Sequence, residues 1–600
     1  MRSRVAVDPV TAAGGALGLA VLEEFYWRRQ GAPAGAGWLI AGAAATVVLS
    51  AIVASVWARW LPRTLALGLG LAVPAAPPCL ALVNDCGSSG RWVALPVGAA
   101  LSVLTGFGLA WLLSRRYGKS VLALTAAVTT IALLGGRAAG GGSRGTGNIR
   151  PNVVLIVLDT TRRDHLSLYG YPRPTSPSLD AFARECEVYE DAWSVAAWTP
   201  ASHASILTGL LPAEHGVDGV ASPPFTTSAP TLTRVLKQAG YGTAAFLANP
   251  ILDERGWRRD FDAFQPPWSR GRHSLVRLVS RLYRDSSRWN PWNERSWTPR
   301  VFAQARSWWS AHRERPRFLF LNLVDPHRPY EPPPEYYRQF LGDVDPHAAM
   351  AVSQDPRDYR LHPGASADVR RILSGLYDGE VASMDHELGV FLAWLRDTGD
   401  LDRTVVVVTA DHGERLGERG LVGHDLDVDQ YLLRVPLIVR YPPRVRAGHV
   451  TRRVQLDGIA GYVLALADIE APQVMARRAL NRQDRRIVVA QYQEPRWFLE
   501  RLHEGDPAFR TEPWHGDWSF VSDGRLAYLL RQVQGGPRDG RLVDLVQDPE
   551  WSREDLAPLQ PDAARRLRSI AERLPRFGLV SPGEIDAEQV ERLQSLGYVN

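Results

Sequence analysis

Three short polar clusters follow three apolar runs. Val153–Leu158 ends in Asp159-Thr160-Thr161-Arg162, Phe318–Val324 ends in Asp325-Pro326-His327, and Thr404–Thr409 leads into Asp411-His412-Gly413-Glu414. Carboxylates and imidazoles are the side chains that hold divalent ions and carry protons near neutral pH. Taken singly, an aspartate after a strand is most often a turn or a helix cap. Three clusters in the same place relative to their strands point to one site, because ligands of open α/β sheets bind beyond the carboxyl ends of the strands. A fourth element is Ala197-Trp-Thr-Pro-Ala-Ser-His-Ala-Ser-Ile-Leu-Thr-Gly209. Thr199 fits an N-cap, Pro200 the first helical position and Gly209 a helix stop. A capping threonine is the plain reading. The functional one sets Thr199 at the positive end of a helix dipole, beside free backbone N–H groups, where a phosphate or sulfate would sit.

The elements that must position these groups are legible from periodicity. Val153–Leu158, Thr243–Leu247, Phe318–Val324, Thr404–Thr409 and Leu437–Arg440 are continuous apolar runs of strand length. Such runs suit strands buried on both faces of a mostly parallel sheet. Helices are expected at Ser178–Glu185, Ser202–Leu210, Thr231–Ala239 and Ala382–Leu395, the last with Met384, Leu388, Phe391 and Leu395 at helical spacing. Beyond about residue 480 the pattern changes: Arg486–Tyr492, Trp518–Leu530 and Arg541–Val546 suggest a small antiparallel sheet, and Asp562–Leu574 a helix packed on it. The fold class expected is therefore α/β.

Ahead of this region, residues 1–136 read as a transmembrane module of about five helices. Trp38–Val56, Leu65–Val83 and Trp92–Leu113 are of spanning length, Ser120–Gly136 is slightly short and Pro9–Leu22 shorter still. The connector Ser114–Lys119 holds Arg115, Arg116 and Lys119, so the positive-inside rule sets it in the cytoplasm and delivers everything after Arg137 to the other, non-cytoplasmic side. Five spans also leave Arg2 and Arg4 inside; four would not. A Gly-rich linker, residues 137–152, joins this module to a region at 153–480 and a C-terminal subdomain at 481–600. The chain of 600 residues is 45% hydrophobic and 22% charged, which excludes a disordered chain, and its net charge is +5. Residues 1–150 carry thirteen Lys/Arg against four acids, while the remainder is mildly acidic, so the basic excess is no nucleic-acid surface. Three cysteines exclude a disulfide scaffold or a Cys-rich zinc module. Between Arg272 and Arg300, Leu275/Val276, Leu278/Val279 and Leu282/Tyr283 recur among Arg277, Arg281, Arg284 and Arg288, with Trp289, Trp292 and Trp297 following. That pattern suits either a surface helix packed on the core or one lying in a membrane interface.

Asp159-Thr-Thr-Arg162, Thr175-Ser-Pro-Ser-Leu-Asp180, the Thr199 segment through Leu207-Thr-Gly-Leu-Leu-Pro212 and Asp411-His-Gly-Glu414 together resemble the sulfatase family of the alkaline phosphatase superfamily. Arg434-Val-Pro-Leu-Ile438, Leu542-Val-Asp-Leu545 and the tail Leu593–Val599 extend the likeness over about residues 150–600. The resemblance implies an alkaline phosphatase-like sheet for 153–480 and a metal-dependent ester-cleaving enzyme. The layout, spans followed by an outward-facing domain, is similar to lipoteichoic acid synthases and phosphoethanolamine transferases, which implies a substrate that is lipid-linked. Three departures bear on mechanism. Sulfatases oxidise a Cys or Ser to formylglycine; the corresponding position here is Thr199, whose Cβ methyl prevents an aldehyde. The usual Asp-Asp pair is Asp159-Thr160, and no lysine stands where sulfatases use theirs, Lys237 being the only one after residue 150. A threonine nucleophile is the device of phosphoryl-handling relatives.

Carried onto this sequence, the resemblance gives a metal set of Asp159, Thr199, Asp411 and His412. Two carboxylates, one alkoxide and one imidazole favour Mn²⁺ or Zn²⁺ over Ca²⁺, which wants six to eight oxygens. His327 and His424 are then candidates to touch substrate, to protonate a leaving group or to complete a second metal site. Arg162 is there to hold the anion or to pair with a neighbouring carboxylate, and His203 and His215 are open between a structural and a functional role. The expected function is cleavage or transfer of a phosphate ester through Thr199. The alternatives are a sulfuric ester hydrolase and a catalytically inactive binding domain.

Overall fold

The computed structural model of the chain describes residues 150–578 except 218–228, 253–255, 266–296, 356–357, 360–365, 426–427, 506, 508–509, 534, 537 and 552–554. The expected membrane module and most of the amphipathic 272–300 segment lie outside the described residues. Among the described residues no helix is long and apolar enough to cross a membrane.

Eight strands form the main sheet: β1 (Asn152–Leu158), β2 (Glu187–Tyr189), β3 (Gly242–Leu247), β4 (Ala263–Gln265), β5 (Arg317–Leu323), β6 (Thr404–Thr409), β7 (Leu437–Arg440) and β8 (Gly448–Val450). Their order is β8-β2-β7-β6-β1-β5-β3-β4. β1 pairs in parallel with β5 on one side and β6 on the other, and only β7 runs against its neighbours. The carboxyl ends of β1, β5 and β6 are thus adjacent, and the three polar clusters come to one end of the sheet.

Strand residues alternate between two cores. Val154, Ile156 and Leu158 face one layer with Phe302, Leu388 and Phe391, while Val153, Leu155 and Val157 face the other with Ile206, Leu232 and Val463. The first layer is built from α1 (Pro177–Ala183), α4 (Thr298–Ala311) and α6 (Ala367–Asp397), the second from α2 (Thr199–Thr208), α3 (Leu232–Gln238) and α7 (Ile459–Leu466). A further helix, α5 (Pro334–Leu341), lies against α6. Each such apolar side chain contributes about 1.5–3 kcal/mol by leaving water. Burial on both faces is why the central strands read as unbroken apolar runs. Trp297, the last of the tryptophans in the amphipathic segment, is buried at the start of α4.

The C-terminal region is a four-stranded antiparallel sheet, β9 (Val488–Tyr492), β10 (Asp517–Ser522), β11 (Leu526–Gln532) and β12 (Arg538–Asp544), with α8 (Pro561–Ala571) packed on it. The run Trp518–Leu530, expected as one element, is a hairpin turning at Asp523-Gly524, where Gly524 takes φ +94° and serves as the pivot. The helix expected at Ala382–Leu395 begins fifteen residues earlier, at Ala367.

Candidate metal centre

β1 delivers Asp159. Its backbone N–H donates to Leu323 O at 2.8 Å, tying the end of β1 to β5. Its Oδ2 accepts from the side-chain amides of Asn249 (2.8 Å) and Asn322 (3.0 Å), while its Oδ1 is buried with no hydrogen-bond partner. β6 delivers Asp411 in the same manner. Its Oδ1 accepts the backbone N–H groups of His412 (2.9 Å) and Thr160 (3.2 Å), and its Oδ2 is buried and unpartnered. The next residue, His412, donates Nδ1–H to Gly413 O at 2.9 Å, which leaves Nε2 as a lone pair. Gly413 is required there, since a Cβ would stand 2.0 Å from Tyr431 O.

One atom from each of Asp159, Asp411 and His412 lies within 4.8 Å of the other two, and among the described residues this is the one such grouping of three. Burial, reinforced by the neighbouring Asp411 charge, raises the Asp159 carboxyl to about 7; burial raises Asp411 to about 7 as well. Two buried carboxylates, each with an oxygen lacking a hydrogen-bond partner and both grouped with an imidazole, repel each other unless a cation or a proton lies between them. The residues present therefore fit a divalent ion.

Thr199 completes the arrangement. It is the first residue of α2; the N-cap is Trp198, extended at φ −143°, with no side-chain cap bond. The expected capping role is thereby corrected: the Thr199 hydroxyl is not engaged with its own helix but lies 3.2 Å from His412 Nε2. Ser202, one turn on, donates to Asp411 O at 2.8 Å and fixes the start of α2 against the end of β6.

The remaining sequence candidates divide. His424 donates Nδ1–H to Glu414 Oε1 at 2.8 Å, and its ring centroid is 4.4 Å from His412, 5.1 Å from His327 and 5.5 Å from Trp198. Burial and the adjacent His412 hold His424 well below the usual imidazole range, and burial followed by His424 pushes His327 down to about 3. His327 donates Nδ1–H to Arg328 O at 2.6 Å, and Arg328 forms a buried ion pair with Asp425 at 2.8 Å. His203 is a buttress behind the centre: Nδ1–H donates to Thr199 O (2.8 Å), Nε2 accepts from the Asn322 amide (3.3 Å), and burial pushes it down to about 3. His215 donates to Ser205 Oγ at 3.0 Å and accepts the Val217 N–H, a structural role. Arg162 takes the second of its two readings, bonding Asp164 (2.7 Å), Glu418 (2.6 Å) and Glu414 O (3.1 Å). Asp325 turns toward the Thr298 hydroxyl at the start of α4.

Sequence reasoning passed over Asn249, Asn322, Glu414 as partner of His424, and Tyr377. Asn322 carried a signal, being a polar residue inside the apolar run Phe318–Val324.

A family model described as Sulfatase matches residues 151–469. The chain is 24% identical over 368 residues to an arylsulfatase of Clostridium perfringens, covering 54% of this chain and 76% of that protein. It is 22% identical over 403 residues to an N-acetylglucosamine-6-O-sulfatase of Bacteroides thetaiotaomicron, covering 54% and 69%. Among solved structures, a phosphonate monoester hydrolase from Silicibacter pomeroyi superposes with a TM-score of 0.54 at 19% identity, covering 70% of this chain and 94% of that one.

Proposed function

This chain belongs to the sulfatase family and is an enzyme of the sulfatase/alkaline phosphatase superfamily, and from that premise we propose that it cleaves or transfers phosphate esters with Thr199 as the nucleophile. The observation that carries the reading is the Thr199 hydroxyl, free of its helix and 3.2 Å from His412 Nε2, beside two carboxylates that each present a bare oxygen. Asp159, Asp411, His412 and Thr199 would hold the ion, with Mn²⁺ or Zn²⁺ the fit for this mixed N/O set. When bound, such an ion supplies positive charge that lowers the hydroxyl pKa and polarises the ester.

The chain's own groups account for the bond changes. Thr199 Oγ1 forms a bond to phosphorus as the bond to the leaving oxygen breaks, giving a phosphothreonine. His424, with its Nδ1–H held by Glu414 and its ring beside His412, is the group that would accept the hydroxyl proton and return it to the leaving oxygen. Water or an acceptor alcohol then attacks phosphorus, the P–Oγ1 bond breaks, and the proton lost by the attacking oxygen passes to Oγ1 to restore the Thr199 hydroxyl. The Thr199 methyl bars the formylglycine route, so the nucleophile is regenerated by displacement rather than by collapse of a hydrated aldehyde. The α2 N-terminus, with backbone N–H groups facing the ester, receives the non-bridging oxygens.

A sulfate ester is the second reading, favoured by the sulfatases among the relatives. The test of both is turnover by the full chain, loaded with Mn²⁺ or Zn²⁺, of aryl phosphate monoesters, phosphodiesters and sulfate esters. Preference for sulfate over both phosphate classes would overturn the phosphoryl reading, and failure on all three together with no bound metal would leave the binding-domain reading. The spans expected in residues 1–136 support a domain on the non-cytoplasmic side of a membrane, and the likeness of layout to lipid-handling transferases supports a lipid-linked ester as substrate. A reporter fused after Asn600 and active only outside the cytoplasm tests that; activity of a cytoplasm-only reporter there would contradict it.

A further inference from the structure

Thr160 occupies φ +55°, the left-handed region that a β-branched residue rarely enters. Its N–H donates to Asp411 Oδ1 at 3.2 Å, and its carbonyl accepts the Tyr377 hydroxyl at 2.8 Å. The same phenol oxygen accepts the N–H of Arg162 at 2.8 Å. One side chain from α6 thus bridges two backbone groups on either side of Thr161. Thr160, Thr161 and Tyr377 are all fully buried, so water cannot replace the phenol, and without it a carbonyl and an amide would stand unsatisfied. The Tyr377 ring is itself fixed edge-on against His165 and Tyr330, with centroids at 5.2 and 5.7 Å.

We propose that Tyr377 is a positioning residue for the metal centre: its phenol holds the Asp159–Arg162 turn in the left-handed conformation that turns the bare Asp159 oxygen toward Asp411 and His412. Return of Thr160 to an ordinary conformation would rotate its N–H away from Asp411 and swing the Asp159 carboxylate out of register with Asn249 and Asn322. Strain of this kind persists only where the surroundings over-determine it, and here the surroundings are the phenol and the Asp411 carboxylate. Tyr377 does not touch the ion or the substrate; it acts through the turn. The inference rests on the metal reading above.

The test is Mn²⁺ titration of the metal-stripped full chain by calorimetry, comparing wild type, Tyr377→Phe, Thr160→Gly and the double variant. Glycine enters the left-handed region without strain, so in its presence the phenol is no longer needed to hold the turn. Tyr377→Phe should weaken Mn²⁺ binding by about 10- to 100-fold, as loss of an outer partner of a metal ligand does. Thr160→Gly should stay within about threefold of wild type, and the double variant within about threefold of Thr160→Gly. An unchanged affinity in Tyr377→Phe, or an equal loss in both backgrounds, overturns the inference. If Tyr377→Phe does not fold, recovery of folding and Mn²⁺ binding in the double variant supports it, and failure of the double variant overturns it in favour of a packing role. A wild-type chain that binds no metal overturns the metal reading and this inference together, whereas wild-type binding with an unaffected Tyr377→Phe overturns this inference alone.

Discussion

At the ends of β1 and β6, Asp159 and Asp411 share one grouping of possible ligand atoms with His412; at the end of β5, Asp325 lies outside that grouping and accepts the Thr298 hydroxyl where α4 begins. All three follow an apolar strand, and all three are buried. What separates them is the donor that fixes the first oxygen. Asn322 on the neighbouring strand β5 and Asn249 just after β3 grip Asp159, and two backbone N–H groups grip Asp411. These donors aim the second oxygen instead of consuming it. Asp325 meets a helix start, and close by lies Glu380, whose carboxyl is held well above its usual range by burial and by the Asp325 charge. The two strand-end carboxylates that group with His412 are thus each held at one oxygen by two donors, from side-chain amides for Asp159 and from turn backbone for Asp411.

The largest expected effect falls on the nucleophile. Thr199→Ala should lower kcat/KM about ten-thousand-fold or more, the scale of removing a covalent nucleophile. Because Thr199 is not the cap of α2, the melting temperature should hold steady, so activity and stability separate cleanly. Turnover near the wild-type rate would remove Thr199 from the mechanism.

Next comes Asp411→Asn, which leaves the first oxygen's hydrogen bonds approximately in place and deletes the charge of the second. Mn²⁺ affinity should fall on the order of 100-fold or more. The pH dependence has a definite sign. In the metal-free fold both carboxyls keep their protons up to about pH 7, whereas the unfolded chain releases them near the ordinary aspartate value of 3.8. Their contribution to stability is therefore fully present below that lower value and lost as pH rises through about 7, while metal binding, which needs both ionised, tightens over the same window. Equal Mn²⁺ affinity at pH 6 and pH 8 would contradict this, as would an Asp411→Asn chain that binds as wild type does.

His424→Ala is expected to be milder, about a hundredfold in kcat with KM nearly unchanged, because it removes proton transfer and not attack. Glu414→Gln should fall in the same direction by less, since a glutamine can still accept the His424 N–H that Glu414 accepts at 2.8 Å. If His424→Ala raises KM and spares kcat, the imidazole binds substrate rather than moving a proton.

How far the chain could be read in advance follows the same division. The central strands were legible because burial on both faces demands an unbroken apolar run, and Thr404–Thr409 and Leu437–Arg440 fall where periodicity puts them. The outer strands β4 and β8 and the adjacent β2, three residues each, carry no period to detect. The first half of α6 escaped for a different reason: its buried side includes Tyr377, Asp378 and Glu380, which bind loop backbone and side chains, and Gly375 and Gly379, where Leu341 and Pro332 approach too closely for a Cβ. Of the site, the ligands themselves were visible as residue types at strand ends. The groups that orient them were not, because Asn249, Asn322 and Tyr377 acquire a role only once the loop after β3, the strand β5 and α6 are brought to the end of β1.

The smallest effect is the one that sharpens the comparison between strand ends. Asp325→Asn keeps an oxygen to accept the Thr298 hydroxyl and removes a negative charge beside Glu380, so the loss of a charged acceptor is offset by relief of repulsion. Stability should change by no more than about 1 kcal/mol, the scale of one hydrogen bond. Mn²⁺ affinity should remain within about twofold of wild type, since Asp325 lies outside the grouping of Asp159, Asp411 and His412. Denaturant unfolding and Mn²⁺ titration of the same preparation read both quantities. A loss of Mn²⁺ binding comparable to that of Asp411→Asn would mean that Asp325 belongs with Asp159 and Asp411 after all, and that a helix start does not remove a strand-end carboxylate from the ligand set.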